Sequence, residues 1–205
     1  MDVFDWVPKP GDLHAWPALL HTSLFDSISR YRDLLLRNKR RGDLDYIAWL
    51  TRNLIELRVW VEYCSISQKN AEDFLHDAVR DLVDLNRTLG GLDDPETIKN
   101  LHKAKAYIGT DRAAHKYKHV ADAAEEVGMK TVFVHNCKML SKLVHPTAVS
   151  VLAPIPGQAA DMIRRQFVEL GRLQADEALQ KLDSSHMGDA HRKYRQFING
   201  GKVRS

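Results

Sequence analysis

The sequence predicts an all-α fold, an antiparallel helical bundle of five to seven helices, and three observations carry that expectation. Turn-forming residues are scarce: 11 Gly and 7 Pro in 205 residues leave long stretches with neither, whereas a sandwich of short strands needs many tight turns. One segment, Tyr46 to Ser67, holds an uninterrupted helical pattern. At about 100° per residue, Ile47, Leu50, Leu54, Leu57, Val61 and Cys64 fall on one side of it. Finally, helix stop and start signals punctuate the chain at helix-length intervals, at Arg41-Gly42, Gly90-Gly91, Asp94-Pro95-Glu96, Gly128 and His145-Pro146.

Taken in order, residues 1–18 carry three prolines with Trp6 and Trp16 and read as an extended arm. A single helical bundle domain is expected over 19–182, and 183–205 reads as a polar, basic tail, poorly ordered or folding against a partner. Within the bundle a first helix starts near Pro17 and stops at the basic turn before Gly42. Asp43 is placed to cap the central helix that follows. An amphipathic helix then carries Phe74, Leu75, Ala78, Leu82 and Leu85 on one face. Asp94 and Pro95 open the next helix, and Gly128 closes the one after Gly109. Lys130 to Val144 has strand-like residues at Thr131 to Val134, yet Val132, Phe133, Asn136, Cys137, Leu140, Leu143 and Val144 share a helical face, so it reads as helix. The residue before a proline avoids the α region, which ends that helix at His145. The last strong helix covers roughly Gln158 to Leu182.

The wheel of the central helix places Trp49 and Trp60 on the flank of the apolar face, with Ile55, Val59 and Ile66 beyond them. Only Thr51, Arg58, Glu62 and Ser65 remain for water. Arg52, Glu56 and Tyr63 are then caught in an apolar arc, and a buried charge without a partner is prohibitively costly. Arg52 and Glu56 are four apart and can pair. The first reading is a structural ion pair that fixes packing; the second is a polar pocket. The aromatic residues of this helix read as core rather than as stacking platforms.

The net charge of +3 is too small to argue for nucleic acid by itself, but it is unevenly spread. Lys99, Lys103, Lys105, Arg112, Lys116 and Lys118 face only Asp111 between residues 99 and 119, a local basic surface suited to phosphate or to an acidic partner. A solvated helix face explains the same pattern. Cys64 and Cys137 project onto apolar faces and read as reduced core residues, which fits a cytoplasmic protein. The first residues show no basic segment followed by an apolar run, and no segment nears eighteen consecutive apolar residues. No membrane and no cofactor are therefore expected. The chain has no Gly-rich phosphate loop, no G-x-S-x-G elbow, no H-E-x-x-H and no C-x-x-C.

The helix from Lys130 carries a basic stripe of His135, Lys138, Lys142 and His145. Its histidines lie about 15 Å apart along a helix axis, too far to share a metal without outside ligands. His115 and His119 have helical metal-pair spacing, but lysines surround them and a surface reading is favoured. A histidine that moves protons beside cations that stabilise a phosphoryl transition state is the chemistry of a metal-independent nuclease. An exposed amphipathic face accounts for the stripe as well.

Two stretches, RNLIELRVWVEY and VADAAEEVGMKTVFVHNCKMLSKLVHPT, together resemble a bacterial all-helical family of unknown function whose signature is Leu-Ser, three residues, His-Pro. Here that signature is Leu140-Ser141 with His145-Pro146. The family is distantly similar to HEPN domains, helical bundles that often dimerise and include metal-independent ribonucleases of toxin and antiviral systems. In those ribonucleases an arginine precedes the histidine on one helix, usually with a polar residue after it. This chain differs: Lys138 and Met139 precede His145, and Ala113 follows Arg112 in the other candidate pair with His119. If the central helix packs against the one from Lys130, a polar site is rebuilt from two helices, with His145 as acid or base, Arg52 with Lys138 or Lys142 stabilising charge, and Glu56 and Ser141 beside them. The resemblance further implies RNA as partner, a homodimer, and a role in toxin or phage-defence systems. The alternative is a non-catalytic interaction or regulatory module that uses a basic helix face or the basic tail to hold a protein partner. A small-molecule pocket near Trp49 and Trp60 is a third.

Overall fold

The computed structural model describes residues 15–40, 43–88, 118–145, 155 and 157–201. The described residues are all-helical, with no strand, and form α1 (Ala15–Asn38), α2 (Leu44–Ile66), α3 (Gln68–Thr88), α4 (Val120–Glu126), α5 (Lys130–Val144), α6 (Gly157–Ser184) and α7 (His186–Gly201). Of the extended arm expected over 1–18, residues 1–14 lie outside the described residues and 15–18 instead open α1; the helices expected between residues 94 and 117 also lie outside. No helix among the described residues is long and apolar enough to cross a membrane. The chain divides into two compact units: Thr22–Tyr63 with His119–Ser185, and Met1–His21 with Cys64–Lys118 and His186–Ser205.

The first unit takes its core from Ile28 and Leu35 of α1, Ile47, Leu50, Leu54, Ile55, Val59 and Val61 of α2, Leu140 of α5 and Leu182 of α6, all fully enclosed. Each such side chain contributes roughly 1.5–3 kcal/mol of transfer free energy when buried. The tightest approach is at Gly171 of α6. A Cβ added there would stand 2.6 Å from Leu35 Cδ2, 3.2 Å from Thr51 Oγ1 and 3.4 Å from Leu54 Cδ1. Only a residue without a side chain lets α6 lie this close to α1 and α2. Thr51 fills the remaining gap, its hydroxyl 2.8 Å from the Ile47 carbonyl and 3.1 Å from that of Phe167.

The expected apolar row of α2 is buried at Ile47, Leu50, Leu54, Val61 and Cys64, but the arc expected to face water is turned inward. Thr51 was assigned to the watery arc and is fully buried. Arg58 donates to Gln174 Oε1 at 3.0 Å and pairs with Glu177, and Glu62 pairs with Lys181, so that arc faces α6. The more open side holds Trp49, Arg52, Asn53, Glu56 and Trp60, with Trp49 38% exposed. Large aromatic residues dominate a hydrophobicity wheel yet are seldom fully enclosed, whereas a threonine with its hydroxyl satisfied fits a tight helix crossing. Asp43 sits at the N-cap position and its carbonyl accepts the Ile47 N–H at 3.0 Å, while the Asp45 carboxylate takes the Tyr46 N–H.

Gly128 ends α4 as the sequence indicates. At φ +72° it lies in the left-handed region that only glycine enters without cost. The Met129 N–H reaches the Ala124 carbonyl at 2.7 Å and the Gly128 N–H that of Glu125 at 3.1 Å, the paired bonds of a Schellman stop. The chain turns at once into α5, which the sequence places over the same residues.

In the second unit Ser67 separates α2 from α3. Its hydroxyl donates to Asn70 Oδ1 at 2.5 Å and accepts the Asn70 N–H at 3.1 Å, a side-chain N-cap. Cys64 is enclosed, and loss of solvation pushes its thiol far above the ordinary range. The segment expected as a poorly ordered tail instead forms α7. Met187 is fully buried and Gly188 is buried beside it, so the first turn is anchored by apolar contact. The following turns, from Arg192 to Gln196, are exposed and polar as expected.

Candidate functional site

Within the first unit, the open side of α2 meets one row of α5. Arg52 donates from Nε to Glu56 Oε1 at 2.9 Å, one turn along α2, and the two side chains are 32% and 27% exposed. Glu56 thereby fixes the plane of the guanidinium and leaves its outer nitrogens free to point elsewhere. Nη1 lies 3.4 Å from Ser141 Oγ and 3.5 Å from His145 Nε2. These contacts are long for hydrogen bonds, so the three groups are adjacent without being tightly locked.

Local structure explains why α5 presents these groups. Cys137, Ser141 and His145 follow one another at four-residue spacing and so form a single row. At its end His145 leaves the helix with φ −101° and ψ 146°, the extended conformation that a following proline requires. Its backbone N–H still bonds the Ser141 carbonyl at 3.2 Å. The imidazole thus stands at the C-terminal end of a helix, exposed to solvent, where the partial negative charge of unpaired carbonyls favours cations. Arg52 supplies one.

The Arg52–His145 contact has a protonation requirement. Guanidinium carries only donors, so His145 Nε2 accepts from it only as a neutral ring with the proton on Nδ1. A protonated ring would set donor against donor. An anionic oxygen between the two groups would satisfy both.

Cys137 is half-buried, and its thiol is pushed up to about 11 by loss of solvation first, then by Glu56, with Arg52 acting in the opposite sense. The thiol therefore lies in the field of the ion pair and stays protonated at neutral pH, which removes it as a nucleophile. The apolar face of α5 predicts Cys137 in the core, whereas it stands half-buried beside the pair. The four-residue spacing from Ser141 carried the signal.

Arg52, Glu56, Ser141 and His145 are thus brought together, and the Arg52–Glu56 pair lines an open face instead of being sealed in the core. Lys138 and Lys142 stand exposed on the adjoining flank of α5, and His135 is exposed a turn away. Lys99, Lys103, Lys105, Arg112 and Lys116 lie outside the described residues. Lys118 is half-buried, and its backbone N–H is held by Asp77 Oδ2 at 3.0 Å. No group of three or more His, Cys, Asp or Glu side chains placed to hold a metal ion occurs among the described residues.

An aromatic cluster adjoins the polar group. The Trp49 and Tyr46 rings lie nearly parallel, 18° apart with centroids at 6.0 Å, and Tyr31 of α1 meets Trp49 edge-on at 5.5 Å. The Arg30 guanidinium sits 5.3 Å from the Tyr31 ring centre. Asn53 Nδ2 donates to the Trp49 carbonyl at 2.7 Å. Comparison of the chain with protein-family models, with curated proteins and with solved structures gives no match.

Proposed function

We propose that the chain is a metal-independent endoribonuclease of HEPN-like type, with its site divided between α2 and α5. The observation that carries this reading is the exposed His145 imidazole with the Arg52 guanidinium 3.5 Å from it. In the cleavage step neutral His145 takes the proton of an RNA 2′-hydroxyl, and the 2′-oxygen attacks the adjacent phosphorus. The bond from phosphorus to the 5′-oxygen breaks, and water returns a proton to that oxygen. The products are a 2′,3′-cyclic phosphate and a free 5′-hydroxyl. Arg52 stabilises the additional negative charge on the pentacoordinate phosphorane, where a positioned cation contributes most. Glu56 and Ser141 position the guanidinium. Lys138 and Lys142 add a positive flank for neighbouring phosphates.

The test is cleavage of labelled structured and unstructured RNA, with chelator present, by wild-type protein and by His145→Ala. Loss of general base catalysis lowers the rate by about 10²–10⁴-fold. Arg52→Ala is expected to cost about 10²–10³-fold, with little rescue by Arg52→Lys because the planar fork is lost. Glu56→Gln should be milder, raising KM and lowering kcat together. If wild-type protein cleaves none of these RNAs, or His145→Ala cleaves them equally well, the reading falls. The site then belongs to a non-catalytic module.

A further inference from the structure

We infer that the Trp49 cluster is a stacking platform for an unpaired nucleobase, which makes single-stranded RNA the substrate class of the adjoining site. The inference rests on the ribonuclease reading for the chemistry, but its own support is separate. Trp49 is 38% exposed although it belongs to the most buried helix of the first unit. An isolated exposed tryptophan needs no explanation. This one is the centre of an ordered aromatic group, parallel to Tyr46 and braced edge-on by Tyr31, so its ring is held in a fixed plane before any ligand arrives.

Three features of the surroundings select a nucleic acid over an apolar partner. Two cations accompany the cluster: Arg30 against Tyr31, and Arg52 three residues after Trp49 on α2. A helix rises about 4.5 Å over three residues, so the ring and the guanidinium are one turn apart, close enough for the base and the phosphate of one nucleotide. The Asn53 amide gives one N–H to the Trp49 carbonyl, and the flat ring itself meets the face of any base, so recognition by the platform is sequence-tolerant, as stacking is. Bases in a duplex are already stacked on their neighbours and cannot reach the platform, whereas those of a single strand or loop can.

The experiment uses full-length His145→Ala protein, so that binding is read without cleavage, and fluorescently labelled single-stranded RNA with its blunt duplex as comparison. Fluorescence anisotropy at low salt should show the single strand bound more tightly than the duplex. Trp49→Ala in the same background should weaken the single strand roughly 5- to 100-fold, the range for loss of one stacked base, and should leave the duplex unchanged. Trp49→Phe should restore most of the loss, which separates stacking from a packing defect. An oligonucleotide scanned with single abasic positions should lose affinity at one position and lose the Trp49 dependence there. Equal affinity for duplex and single strand, no effect of Trp49→Ala, or no RNA binding at all would each overturn the platform. If the platform behaves as expected while wild-type protein leaves RNA intact, the binding inference stands and the catalytic reading alone fails.

Discussion

Thr51 and Arg52 are neighbours in sequence and opposites in environment. Thr51 is enclosed at the crossing with α6, while Arg52 faces the open side with Glu56. That the two pairs meet depends on how α2 and α5 pack, while each pair by itself, Arg52 with Glu56 and Ser141 with His145, was legible from its helical spacing. The side of α2 that opens to solvent was not, because Trp49 weighs as core on any hydropathy wheel, and only the missing side chain at Gly171 reveals where α6 packs. Cys137 offers a sensitive probe of this geometry. Its alkylation by iodoacetamide should be slow at pH 7 and accelerate as pH approaches about 11, since only the thiolate reacts. Glu56→Gln removes a charge that raises the thiol and should speed the reaction at fixed pH. Arg52→Gln should slow it. Unchanged rates in both variants would mean that the pair does not face Cys137.

At the scale of elements, two turns are set by local chemistry and can be tested as such. Gly128→Ala forces an L side chain into the left-handed region between α4 and α5, and should cost about 1–2 kcal/mol in urea unfolding. Ser67→Ala removes the side-chain N-cap of α3 and should cost about 1 kcal/mol. Gly128 stands in the sequence as a stop with a known backbone role, whereas Ser67 does not, because the helical pattern of α2 runs up to it without a break signal. The helix α7 did not stand out. Its turns from Arg192 to Gln196 are exposed and largely polar, Gly188 interrupts its start, and among the described side chains its apolar anchor is Met187. Such a helix forms because its first turn is docked and the rest is propagated, and docking cannot be read from a polar sequence.

For the molecule as a whole, stability should weaken on mild acidification. His186 is held below its ordinary range, chiefly by loss of solvation, with Asp189 opposing. The unfolded chain binds a proton at this ring near pH 6.5, while the folded chain resists it until lower pH. The unfolded state therefore binds more protons between these values, and stability present above about pH 6.5 is lost as pH falls through the folded value. Thermal unfolding followed from pH 7.5 to 5 should show the drop, and His186→Gln should flatten it in that window. The all-helical class was legible throughout because it depends on periodicity, whereas the division of α1 and α2 between two compact units depends on contacts among distant segments. The crossing at Gly171 ties these scales together. Gly171→Val places three extra carbons where Leu35, Thr51 and Leu54 already meet and should cost about 1–3 kcal/mol by overpacking. In genetic terms this glycine is a position for temperature-conditional alleles: cells grown cool keep every site residue in place, and warming removes the fold. The protein's role in a living cell can then be switched off by a shift of incubator, without altering a residue proposed to touch RNA.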